Sequence, residues 1–92
     1  MDRRSAWNSH YWHTRRVENA SDHGVIHHHC SRCSRDFIDD PSTGKRFAVY
    51  VAVFRFEKLP ELITTRWLDE LCPGEPQAQD IAARRRSGLV KA

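Results

Sequence analysis

The chain has 92 residues, 39% of them hydrophobic, with three cysteines and a net charge of +3 at neutral pH. This is one small domain, near the size at which a hydrophobic core alone is thin and a metal helps, and an odd number of cysteines fits a closed disulfide framework poorly. The first residues, Met1 to Asn8, hold no apolar run that could serve as a signal peptide, and no later stretch is apolar enough to span a membrane; a cytoplasmic setting, where thiols bind metal rather than one another, is the expectation.

The positive charge is unevenly spread: residues 1–20 total +2, residues 21–83 total −3 and residues 84–92 total +4. A nucleic-acid-binding domain usually carries its basic face on the folded part, so this distribution counts against nucleic acid as the first expectation. Composition divides the chain into an aromatic N-terminal arm (1–20), a core domain (21–76) and a marginal helix with a basic tail (77–92), with no internal repeat.

In the arm, Trp7, Tyr11 and Trp12 are too apolar for a plain disordered segment. The spacing of Trp7 and Tyr11 suits one face of a short helix packed on the domain, with an extended segment as the alternative. His10 and His13 are available as metal ligands, but on such an arm the plainer reading is surface histidine. A polar loop, Asn19 to Gly24, leads to a short strand beginning at Val25 and Ile26 and running through His27, His28 and His29 to Cys30.

Cys30-Ser31-Arg32-Cys33 places two thiols in one tight turn, the spacing with which two sulfurs face one tetrahedral metal. Buried, unliganded thiols are the alternative. A third thiol, Cys72, stands in Cys72-Pro73-Gly74. Because a strand alternates faces, His28 shares a side with Cys30 while His27 and His29 point away. The expected ligands of a structural Zn2+ are therefore Cys30, Cys33, Cys72 and His28.

Beyond the cysteine turn, two apolar segments flank Pro41-Ser42-Thr43-Gly44, the signature of a β-hairpin. The second arm, Lys45 to Phe56, is rich in β-branched and aromatic residues and apolar on both faces, which predicts one long strand covered on two sides. Leu59 to Leu71 reads as a covering helix: Pro60 is tolerated at its start, Leu62 or Ile63, Trp67 and Leu71 recur near helical spacing, and Cys72-Pro73-Gly74 ends it. Gln77 to Arg86 reads as a marginal helix with Ile81 as its only large apolar residue.

The order of knuckle, hairpin and helix gives a small α+β zinc-stabilised domain, and over residues 28–75 it resembles the broad zinc-ribbon and treble-clef class. Two departures stand out. Ser34 follows the second cysteine, where such knuckles often carry Gly, and Cys72 stands alone near a helix end, where a treble clef takes a ligand pair from a helix's first turn. A helix beginning after Cys72 would instead offer Glu75.

Catalytic readings are weaker. A thioredoxin-like use of Cys-x-x-Cys needs a βαβ context that these elements do not supply. A zinc hydrolase or deaminase needs an open metal position beside a general base, and Ser31 or Ser34 as nucleophile needs a positioned base. The expected role is a non-catalytic zinc-binding module for another protein, with Tyr50 and Phe54 as aromatic anchors. The alternative is nucleic-acid binding through the basic ends, with Arg84, Arg85 and Arg86 on phosphates. Metal trafficking through the histidines ranks third.

Overall fold

The structure, a computed structural model, describes residues 3–18, 24–52 and 55–80. Helix α1 (Arg3–Asn8) is followed by strands β1 (Trp12–Val17), β2 (Val25–Cys30), β3 (Asp36–Asp40), β4 (Lys45–Ala52) and β5 (Arg55–Lys58), then helix α2 (Glu61–Asp69). The strands form one antiparallel five-stranded sheet in chain order, each paired with its sequence neighbour. Among the described residues no helix is long and apolar enough to cross a membrane.

Period-two alternation sorts the sheet into two faces. Trp12, His28, Phe37 and Ala48 fall on one face through the pairs Thr14↔His28, His28↔Phe37 and Phe37↔Ala48. On this face lies the core of Phe37, Ala48, Leu59 and Trp67, with Trp7, Trp12, Tyr50, Ile63 and Leu68 packed against it. Phe37 meets Trp67 edge-on at 5.9 Å between centroids, an arrangement favoured by the ring quadrupoles. The opposite face carries His27, His29, Asp36, Ile38 and Val49; Asp36 Oδ1 lies 2.9 Å from His27 Nε2 and 2.7 Å from His29 Nδ1.

The predicted hairpin forms over Asp36–Asp40 and Lys45–Ala52, and Gly44 supplies the left-handed residue (φ 70°) of its turn, donating its N–H to the Asp40 carbonyl at 2.8 Å. Its second arm differs from the expectation of one strand to Phe56. The chain reverses after Ala52, and Val51 and Ala52 pair with Phe56 and Arg55 in a second hairpin. An apolar run can extend or fold back on itself with similar burial, and residue pattern alone does not say where it turns. The covering of β4 on both faces holds where the side chains are described, since Ala48 and its neighbour Val49 are both buried.

Helix α2 docks on β4 through two backbone groups. The Leu59 N–H donates to the Ala48 carbonyl at 2.9 Å, and the Ala48 N–H donates to Thr64 Oγ1 at 3.0 Å. Pro60 stands at the N-cap, where its missing N–H costs nothing. Thr64 and Trp67 are buried, but Leu62 is 82% exposed, so Ile63 and Trp67 carry the apolar stripe. The helix stops at Asp69 and Glu70 is already extended (φ −102°, ψ 141°). That exit leads Leu71 and Cys72 away from the helix axis.

Candidate metal centre

Three separate segments converge on one point, and the register of the sheet explains why. Antiparallel pairing places Trp12 opposite Cys30, so the residues just before β1 lie beside the turn that follows β2. The Ser31 N–H extends this pairing with a 3.1 Å bond to the Tyr11 carbonyl. His10 is thereby carried to the knuckle, its ring stacked on Trp12 at 4.7 Å. Cys72 arrives from the end of α2, its N–H donating to Ser9 Oγ at 2.7 Å while Ser9 Oγ donates to the Ala6 carbonyl at 2.6 Å.

The knuckle itself is tightly wound. Ser34 N–H donates to the Cys30 carbonyl at 2.9 Å and Cys30 N–H to the Arg35 carbonyl at 3.0 Å. Ser34 has φ 61°, the left-handed conformation in which Gly is usual. The turn thus has the shape that Gly would serve, and the chain builds it with a serine.

His10, Cys30, Cys33 and Cys72 present one nitrogen and three sulfurs that all lie within 4.8 Å of one another, and the first three residues are buried. Cys30 Sγ stands 3.8 Å from Cys72 Sγ, and Cys33 Sγ stands 3.4 Å from His10 Nδ1. Ligands on a tetrahedral centre with Zn–S of about 2.3 Å and Zn–N of about 2.0–2.1 Å are separated by about 3.8 Å between sulfurs and about 3.5 Å between sulfur and nitrogen. The observed spacings match both. The four residues can hold a metal ion.

Electrostatics around the cluster fit the same purpose. Burial pushes the Cys30 thiol up, but backbone N–H groups of Cys33, Tyr11 and Arg32 donate to its sulfur and bring its pKa below the ordinary thiol value. Cys33 is pushed up to about 12, first by burial and then by the neighbouring thiols Cys30 and Cys72, against one N–H donated by Arg35. Three sulfurs this close cannot all ionise without a cation among them. His10 has its pKa lowered by burial and by the Arg35 cation, which keeps the imidazole neutral as a ligand must be. A hydrogen bond to the Glu70 backbone carbonyl orients its ring.

Arg35 is the least expected member of this region. Its side chain is 1% exposed and donates from Nε to Asp80 Oδ2 at 3.1 Å and from Nη2 to Glu70 Oε2 at 2.8 Å. Nη1 is buried without a hydrogen-bond partner among the described residues. Asp80 Oδ1 also accepts from Trp67 Nε1 at 3.0 Å and from Arg66 Nη2, tying the end of the described chain to α2.

Of the residues singled out by sequence, Cys30, Cys33 and Cys72 come together and His28 does not join them. His28 does share a face with Cys30, but it lies two residues further along the strand, and both its ring nitrogens are engaged. Nδ1 is 2.9 Å from Thr14 Oγ1 and Nε2 is 2.7 Å from Asp39 Oδ2. Asp39 is in turn held by Arg46 at 2.6 and 2.9 Å, and Arg46 stacks on Trp7 at 3.7 Å. Tyr50 is half-buried against the core. Phe54, Arg84, Arg85 and Arg86 lie outside the described residues.

Sequence reasoning weighed His10 as a ligand but preferred a surface role for it, and it missed Arg35 and Asp80. Only His10 had a local signal, its place between Trp7 and Trp12 in an arm too aromatic to be loose. No model of a known protein family matches the chain, and no curated protein or solved structure matches it either.

Proposed function

We propose that this is a non-catalytic Zn2+-stabilised interaction module of a reducing, cytoplasmic compartment, with His10, Cys30, Cys33 and Cys72 as the ligands. The observation that carries it is the group of one nitrogen and three sulfurs within 4.8 Å of one another, three of its residues buried and its Cys30–Cys72 and Cys33–His10 spacings those of a tetrahedral centre. A thiolate-rich set with one imidazole favours zinc over hard cations. Four protein ligands fill a tetrahedral shell, which is the pattern of a structural site; a catalytic zinc keeps one position open. The centre ties together the loop before β1, the β2–β3 knuckle and the segment after α2, a knuckle-based device akin to that of zinc ribbons.

Exposed apolar groups support a protein partner. Tyr11 (53% exposed) and Leu71 (47% exposed) directly neighbour His10 and Cys72 in sequence, and Leu62 projects from α2. Large apolar side chains held out from a metal-fixed framework suit an interface. Metal analysis of the purified chain should find one zinc per chain, and a Co2+-substituted sample should show thiolate charge-transfer and tetrahedral visible bands. Because no coordination position is open, azide should leave that spectrum unchanged. A chain that holds no zinc, or a cobalt spectrum that shifts with azide, contradicts this reading.

A further inference from the structure

A second feature lies away from the metal centre, where the ends of β4 and β5 meet α2 and the start of α1. Two adjoining cavities of about 550 and 470 Å3 share Arg3, Arg46 and Leu68 and so form one trough. Its cations are Arg3, Arg4, Lys45, Arg46 and Lys58, facing the carboxylates of Asp39 and Glu61. Arg3 pairs with the exposed Asp69 at 2.9 Å and Arg46 with Asp39. Arg4, Lys45 and Lys58 are exposed and have no ion pair among the described residues. The sequence places this concentration within neither basic end alone: the fold brings the arm's arginines to the lysines of an otherwise acidic core.

Between these charges Phe47, Leu59 and Leu68 supply apolar lining beside Thr64 and Thr65. From α2 the lining residues are Glu61, Thr64, Thr65 and Leu68, which recur on one face of the helix. We propose that this trough receives an acidic segment of a protein partner, its carboxylates on the arginines and lysines and an apolar side chain against Leu68. The proposal deepens the protein-interaction reading above by naming the chemistry of the partner. Guanidinium groups pair with carboxylates in planar, two-bonded geometry. A single-stranded nucleic acid would call for open aromatic faces on which bases stack. Here Trp7 is stacked by Trp12 at 4.2 Å and by the Arg46 guanidinium at 3.7 Å, and the Lys58 ammonium sits 4.0 Å over the Phe47 ring.

The test is fluorescence anisotropy with the intact, zinc-loaded chain and a labelled pool of 12-residue peptides. Alternate positions of these peptides are Glu, and the rest are drawn from Leu, Ile and Phe. Saturable binding is expected at low salt. It should weaken at least tenfold when Glu is replaced by Gln throughout the pool, and at least tenfold in the Lys45→Glu/Lys58→Glu chain. Both lysines are exposed, so circular dichroism and zinc content of that variant should be unchanged. A zinc-loaded chain that fails to bind the pool, or binds it equally after the charge reversal, overturns the proposal while leaving the metal reading intact. Tighter binding of a 12-nucleotide oligothymidine, lost in the same variant, also overturns it and gives the trough to nucleic acid. A chain without zinc is the separate result that contradicts the metal reading.

Discussion

At the level of single residues, two histidines on the same side of the sheet have different fates. His28 is anchored on both nitrogens by Thr14 and Asp39, whereas His10 turns Nδ1 toward Cys33 and uses its ring to reach the Glu70 carbonyl. The paired cysteines were legible because their ligand spacing is local. His10 was not, because its approach depends on the β1–β2 register that sets Trp12 against Cys30. Strand alternation chose His28 correctly for face and wrongly for position along the strand. His10→Ala should therefore weaken zinc affinity by more than about 100-fold, beyond the loss typical of a residue that only supports a ligand. His28→Ala should leave the metal in place and cost about 1–2 kcal/mol, by stranding part of the Asp39 network. Competition titration against a chromophoric chelator, beside thermal unfolding of both variants, separates the two effects.

At the level of elements, the hairpin turn and the start of α2 were legible from Gly44 and Pro60, residues whose backbone limits act locally. The reversal after Ala52 carried no such mark. The early end of α2 matters more: it converts what reads as a helix-terminal cysteine into one that crosses to Ser9 and the knuckle. Holding that exit are the buried Arg35, Trp67 and Asp80 with the half-exposed Glu70, none of which has a spacing that announces it. Arg35 and Asp80 side chains are 1% and 4% exposed. Asp80→Ala removes the acceptor for Arg35, Arg66 and Trp67 and leaves a buried cation short of its partner. The cost should be about 3–5 kcal/mol, read as a lowered denaturation midpoint. A change below about 1 kcal/mol would mean that the segment near residue 80 is not held as described.

At the scale of the whole molecule, two separate groups should make the fold sensitive to acid. Burial alone would raise the Asp39 carboxyl, but hydrogen bonds and charge from Arg46 and His28 hold it well below the usual carboxylate range. A carboxyl with its folded pKa depressed contributes stability above its unfolded pKa of about 4, and that contribution is lost as pH falls toward the folded value. Asp39→Asn should thus lower stability by about 1–2 kcal/mol at neutral pH, a discounted figure because Arg46 is partly exposed. It should also flatten the stability profile below about pH 4. Metal release adds a second acid limb, since thiolates must reprotonate as zinc leaves. Recording the profile with and without excess zinc distinguishes them, because only the metal limb moves to lower pH when zinc is added.

The proposed metal joins three segments distant in sequence, Ser9–His10, the β2–β3 knuckle and Leu71–Cys72, in a domain too small to rely on its core. Binding energy of about 10–16 kcal/mol in such sites is folding energy, comparable to the whole stability of a domain this size. The most direct measurement is thermal unfolding of the same preparation before and after chelation under reducing conditions. A cooperative transition is expected with zinc, its loss without zinc, and its return when one equivalent of zinc is restored. An apo chain that unfolds cooperatively at the same midpoint as the zinc-treated chain would contradict the metal reading.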